Sequence, residues 1–151
     1  MSYPTIDGGV TAAKGFRAAG LHCGIRKNQS KKDLALIVSD VPCRAAAVYT
    51  QNLVQGAPIA VTRRNLEKTG GLARAVLCNS GNANTCNADG EEKAQAMCKL
   101  LARELDIAPE EVVVASTGVI GQVLPIEPIE RALPELVERL SADGSGDAAQ
   151  A

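Results

Sequence analysis

Three stretches of this sequence carry residue types suited to chemistry. In Val114-Ala115-Ser116-Thr117-Gly118-Val119-Ile120-Gly121, a β-branched run passes into a hydroxyl-bearing turn punctuated by glycine. A strand delivers its last residues rigidly to one rim of a sheet. Gly118 there lets the backbone turn so that an amide N–H enters a cleft beside the Thr117 hydroxyl and amide. Preorganised donors of this kind stabilise the negative charge that develops on a tetrahedral oxygen. An ordinary strand-ending turn uses the same residues, and the spacing alone does not choose.

The second stretch is Asn79-Ser80-Gly81-Asn82-Ala83-Asn84. Its density of amide donors and acceptors suits either a polar amino-acid site or a turn whose Asn side chains bond their own backbone. Asparagine is no base, so any role here is positional. The third candidate, Cys86 with the sole histidine His22, is the one route to a cysteine–histidine nucleophile pair. His22 lies inside an apolar stretch, which favours a structural histidine and an incidental thiol over that pair. Neither G-x-x-x-x-G-K-[ST] nor G-x-G-x-x-G occurs. No set of nucleophile, base and oxyanion donors is complete within the chain.

The elements that must position these residues follow from hydrophobic patterning. Strands are expected at residues 15–25, 34–39, 45–50, 58–62, 74–78 and 112–116, the last buried on both faces. The stretch Arg26 to Asp33 reads as a solvated hairpin loop rather than an anion-binding patch. Ala94, Met97, Leu101 and Leu105 recur on one stripe, which predicts a helix from Glu91 to Leu105 with Asp89 as its cap. A second helix is expected from Glu127 to Leu140, broken at Pro134. A short helix starting at Asp147 ends the sequence, as though the chain stops inside an element. The class is α/β with a substantial sheet.

Composition narrows the function. The chain has 151 residues, 46% hydrophobic and 2% aromatic, with a formal net charge of −1. The scarcity of aromatic residues disfavours stacking on single-stranded nucleic acid, and the balanced charge disfavours a phosphate-backbone footprint. One domain without an internal boundary, residues 1–151, is the expectation from length. No apolar run spans a bilayer, and the N-terminal residues do not follow the pattern of a secretory leader. Five scattered cysteines without C-x-x-C spacing suit a reduced, cytoplasmic protein and no zinc site.

Five ordered motifs resemble one family. Gly8-Gly9-Val10-Thr11-Ala12, Lys14-Gly15-Phe16-Arg17-Ala18-Ala19-Gly20 and Asp33-Leu34-Ala35-Leu36-Ile37-Val38-Ser39-Asp40 are similar to the start of the ornithine acetyltransferases. These are bifunctional glutamate N-acetyltransferases of arginine biosynthesis. The Asn79–Asn84 and Ala115–Gly121 segments, the fourth and fifth, follow in the family's order, and the tail pieces Leu140–Gly144 and Asp147–Ala149 fit as well.

The resemblance implies an αββα-like sandwich of the N-terminal-nucleophile type, with mixed sheets completed by a separate β chain. It implies a precursor that cleaves itself before a threonine, which then acts as nucleophile with its own α-amino group as base. The acetyl group passes from N-acetylornithine to glutamate, and some members also accept acetyl-CoA. No cofactor or metal is implied. The partner is the β chain, in a heterotetramer of two α and two β chains. Thr117 and Gly118 match the family's oxyanion-stabilising pair. Substrate-binding residues are expected mostly outside this chain. The family's α chain extends further, so the sequence is similar to an α-chain portion without its last part, inactive alone. An N-terminal-nucleophile amidohydrolase or aminopeptidase, or a non-catalytic binding subunit, is the alternative.

Overall fold

The computed structural model describes residues 3–151; Met1 and Ser2, which open the N-terminal stretch, lie outside the described residues. Four strands form one sheet in the order β1-β2-β3-β4. Strand β1 (Phe16–Leu21) pairs antiparallel with β2 (Leu34–Arg44), and β2 pairs antiparallel with β3 (Leu72–Asn82). Strand β3 pairs in parallel with β4 (Val112–Val119). A parallel pair needs a crossover, and helix α2 (Gly90–Leu105) provides it.

Helices α1 (Ala57–Lys68), α2 and α3 (Glu127–Glu138) all contribute to one core. Leu34, Leu36 and Val38 of β2, with Ala75 and Leu77 of β3 and Val112 and Val114 of β4, alternate toward that core. They meet Val61, Met97, Leu101, Ile129, Leu133 and Leu136 of the helices, all fully buried. The short helix α4 (Ser145–Gln150) packs instead on β1 and β2. Six residues cannot hold a helix in isolation; contact with the sheet holds this one. Gly20 permits the approach, because a Cβ there would lie 2.1 Å from the Asp147 carbonyl oxygen.

The α/β class, the mixed sheet and α2 agree with expectation; β1 ends at Leu21 rather than running to residue 25, and the 26–33 connection is a loop but not a solvated one throughout, since Asp33 is fully buried. The second sheet of a two-sheet sandwich is not among the described residues. Several local expectations are corrected. Residues 58–62 are helical, not a strand: Pro58 sits in the first turn after Gly56, and Pro58, Val61, Thr62 and Asn65 form one buried helical face. Residues 45–50 form an exposed connection, with Val48 fully exposed.

Strand β2 continues past Pro42 to Arg44, because its register with β3 shifts between Val38 and Cys43. Strand β3 runs through Asn82, so the first four residues of the asparagine motif are strand, not turn. Strand β4 is an edge strand whose far end is exposed, which corrects the expectation of burial on both faces. Helix α3 passes unbroken through Pro134, an exposed position whose missing N–H falls on the solvent side. Asp89 occupies the cap position of α2 but makes no side-chain capping bond. Among the described residues, no helix is long and apolar enough to cross a membrane.

Candidate active site

The outer edge of β4 is closed along half its length and open along the rest. Helix α1 closes the first half with two buried polar side chains. Asn65 Nδ2 donates to the Val112 carbonyl at 3.1 Å and to the Pro109 carbonyl at 3.3 Å. Thr62 Oγ1 donates to the Val114 carbonyl at 3.2 Å and accepts from the Val114 N–H at 3.3 Å. These side chains act as a substitute strand for the groups an edge otherwise leaves unpaired. The backbone groups of Val112 and Val114 therefore point outward. Strand alternation places those of Ser116 and Gly118 on the same outer side, beyond the reach of α1.

Gly118 is the residue this corner cannot exchange. Its φ is +132°, a conformation that side chains rarely adopt. It sits opposite Gly81 in the parallel ladder, and a Cβ on it would lie 2.3 Å from the Gly81 carbonyl carbon. Gly81 is equally constrained, with φ +100° and Arg26 packed against the position of its absent Cβ. Thr117 beside it is exposed and pairs with Ser80. Thr117 also lines a cavity of about 340 Å³ on the sheet face under α4. The walls of that cavity are mostly apolar, with Ala35, Ile37, Cys78 and Ala148 among them. Burial pushes the Cys78 thiol up, which keeps it protonated and inert. The two residues predicted to stabilise an oxyanion thus stand together at the open end of an edge strand, next to an apolar cavity.

The asparagine motif wires this corner together, and its last member, Asn84, also borders a cavity with Cys86 and Glu91. Asn79 Nδ2 donates to the Asn82 carbonyl at 2.9 Å, and Asn79 Oδ1 accepts from the Ser116 hydroxyl at 2.6 Å. Asn82 Nδ2 donates to the carbonyls of Gln122 and Val123, while its Oδ1 accepts from the Asn84 N–H at 2.8 Å. Asn84, at φ +47°, donates to the Gly90 carbonyl at 2.9 Å and so ties the end of β3 to the start of α2. Some of these bonds are local, but those of Asn79 to Ser116 and of Asn82 to Gln122 and Val123 cross to β4 and the segment after it, so the motif ties β3 to its neighbour rather than only satisfying its own turn.

One further group shapes this corner. Asp33 is fully buried at the end of the 26–33 loop. Its carboxylate accepts the N–H groups of Cys23 at 2.6 Å, Gly24 at 3.3 Å and Arg26 at 2.7 Å. Burial alone would raise the Asp33 carboxyl; the Arg26 and Cys23 N–H groups, with His22 nearby, outweigh it and hold the carboxyl below its ordinary value. Burial and the Asp33 charge push the Cys23 thiol up to about 12. The loop that Asp33 fixes then holds the corner, since Arg26 Nε donates to Ser80 Oγ at 2.9 Å. The signal was an aspartate beside the strand start, hidden among lysines that made the whole segment look solvated.

The cysteine–histidine pair does not form. His22 Nδ1 lies 2.9 Å from the Lys31 carbonyl and 3.3 Å from Asp33 Oδ2, whereas Cys86 lines a separate cavity with Gly56 and Glu91. Among the described residues, no group of three or more His, Cys, Asp or Glu is placed to hold a metal ion.

Comparison with known proteins supplies the context. The ArgJ family profile matches residues 17–151. The chain is 51% identical over 145 residues to the arginine biosynthesis bifunctional protein ArgJ of Thermosynechococcus vestitus, covering 95% of this chain and 34% of that protein. It is 53% identical over 147 residues to the same-named protein of Gloeobacter violaceus, covering 97% of this chain and 36% of that one. The chain thus spans about a third of the length of these curated relatives. Among solved structures, the ArgJ protein of Bacillus halodurans superposes with a TM-score of 0.87 at 38% identity, over 95% of this chain and 74% of that one. The ornithine acetyltransferase of Mycobacterium tuberculosis, solved with ornithine, gives a TM-score of 0.87 at 37% identity, over 94% and 77%.

Proposed function

The chain belongs to the ArgJ family, and on that premise we propose that it supplies the oxyanion-binding part of an acetyltransferase acting in arginine biosynthesis. The acetyl group moves from N-acetylornithine to glutamate, with acetyl-CoA as a second donor. The observation that carries this reading is the Thr117–Gly118 corner, where the edge of β4 opens beside an apolar cavity.

The nucleophile is a threonine at the head of a β chain from the same precursor, whose α-amino group takes the hydroxyl proton. Its oxygen bonds to the acetyl carbonyl carbon, and the carbonyl π pair moves onto oxygen. The Thr117 hydroxyl and the outward Gly118 N–H donate to that oxyanion. Collapse breaks the C–N bond, and ornithine leaves with the proton. The glutamate amine then attacks the acetyl-threonine ester through the same oxyanion, giving N-acetylglutamate and the free threonine. The chain acts in an assembly of two α and two β chains. The pair needs no metal, because hydrogen bonds alone hold the charge.

The test is acyl transfer by the full-length protein. Acetyl transfer to glutamate is expected to exceed hydrolysis to acetate; the opposite ratio identifies an amidohydrolase. Thr117→Ala, which keeps the backbone amide, is expected to lower kcat by about 10²–10³, the magnitude of one lost oxyanion donor. Thr117→Ser restores most of it. Unchanged kcat in Thr117→Ala overturns the role assigned to the hydroxyl.

A further inference from the structure

The turn that follows Gly118 has little apolar packing to hold it. Val119, Ile120 and Val123 are 49%, 61% and 63% exposed, and the first buried side chain beyond them is Leu124. Hydrogen bonds to the end of β3 hold the turn instead. The Val119 carbonyl accepts the Ala83 N–H at 2.9 Å, and the Gly121 N–H donates to the Thr85 carbonyl at 2.9 Å. The chain then folds back on Asn82, the ladder partner of Val119. Asn82 is buried, and its Nδ2 donates to the Gln122 carbonyl at 3.1 Å and to the Val123 carbonyl at 3.2 Å. Its Oδ1 is taken by the Asn84 N–H, which fixes the amide with its donors toward the turn. Asn87 Nδ2 adds a second bond to the Gln122 carbonyl at 2.6 Å.

We propose that Asn82 is a positioning residue of the oxyanion corner: by clasping the 119–123 turn it sets the backbone beyond Gly118, and with it the direction of the Gly118 N–H. The proposal rests on the acyltransferase reading of Thr117 and Gly118. Glycine has the widest backbone freedom of any residue, so Gly118 does not hold its own peptide planes. On one side the ladder fixes them, through Thr117 opposite Ser80. On the other side the turn must do so. An oxyanion donor works by being aimed before the reaction starts, and a displacement of about 1 Å costs about 100-fold in rate. Asn82 acts through Gly118, so its loss belongs in kcat and not in KM.

The experiment compares Asn82→Asp with wild type in the full-length protein. The change keeps the shape and the acceptor for the Asn84 N–H, but sets an oxygen against the two carbonyls. The kcat for transfer from acetylornithine to glutamate is expected to fall by about 10- to 100-fold with KM for acetylornithine unchanged. Formation and breakdown of the acetyl-enzyme should slow by the same factor, because one donor serves both, while the fraction of protein that can be acetylated stays that of wild type. Amide hydrogen exchange should quicken at residues 118–123 and stay unchanged in α1. Unchanged kcat or unchanged exchange overturns the proposal. A loss of acetylatable protein that accounts for the whole fall in kcat also overturns it, because Asn82 then serves folding alone. If Asn82→Asp does not fold, Gly121→Ala decides: at φ +78° a side chain strains the turn, while open space surrounds the position. It is expected to lower kcat with KM unchanged, and a wild-type kcat there overturns the role of the turn. Quickened exchange at 118–123 in Asn82→Asp, with no acetyl transfer by wild type, supports the clasp and refutes only the acyltransferase reading.

Discussion

At the scale of single residues, Asp33 carries more of this site than its exposed neighbours suggest. Three N–H groups converge on a carboxylate with no solvent access, and each charge-assisted bond is worth about 1.5–3 kcal/mol. Asp33→Asn replaces one accepting oxygen by a donor facing those N–H groups. It is expected to destabilise the full-length protein by about 2–4 kcal/mol in denaturant unfolding. The pH dependence has a definite sign. The folded carboxyl lies below its ordinary 3.8, so the unfolded chain binds the proton more readily. Stability from Asp33 is complete well above pH 3.8 and is lost as pH falls through the lower folded value. Wild type should therefore lose stability on acidification through that window, and Asp33→Asn should lose less. Thr117 and Gly118 were legible in the sequence because hydroxyl, glycine and strand end are contiguous. Asp33 was not, because its donors are backbone groups that no side-chain pattern records.

At the scale of elements, the sequence pattern worked where one face carried the whole signal and failed where two signals competed. Helix α2 was legible from its apolar stripe, Ala94 to Leu105. Helix α1 was not, because Ile59, Val61 and Thr62 look like strand while its buried face includes the polar Thr62 and Asn65. Those two residues are polar because they close the edge of β4, a demand that arises only once the sheet exists. The asparagine motif misled for a related reason: β3 continues through it by pairing with β4. A proline at position 134 predicts a break, but Ile129, Leu133 and Leu136 bury a continuous face across it. The helix thus persists without one backbone bond. Pro134→Ala restores that bond and is expected to stabilise the protein by about 1–3 kcal/mol, visible as a raised Tm with activity unchanged.

At the scale of the whole molecule, the two faces of the sheet are unequal. One is covered by three helices. The other carries half-buried Val76, Cys78 and Val113 and exposed Ala115, with α4 over only part of it. Under the two-chain reading, this face receives the β chain. Ala115→Glu should then abolish co-purification of the two chains while leaving the far-UV circular dichroism of this one intact. Retained assembly would place the interface elsewhere. The backbone contact between Gly81 and Gly118 carries a kinetic consequence as well. The two glycines meet only when all of α2 has looped over and docked, a closure of high sequence separation. Partly folded chains therefore do not hold the Gly81–Gly118 contact. It forms in the same step that completes the sheet, so refolding followed by ligand binding should lag refolding followed by helix content.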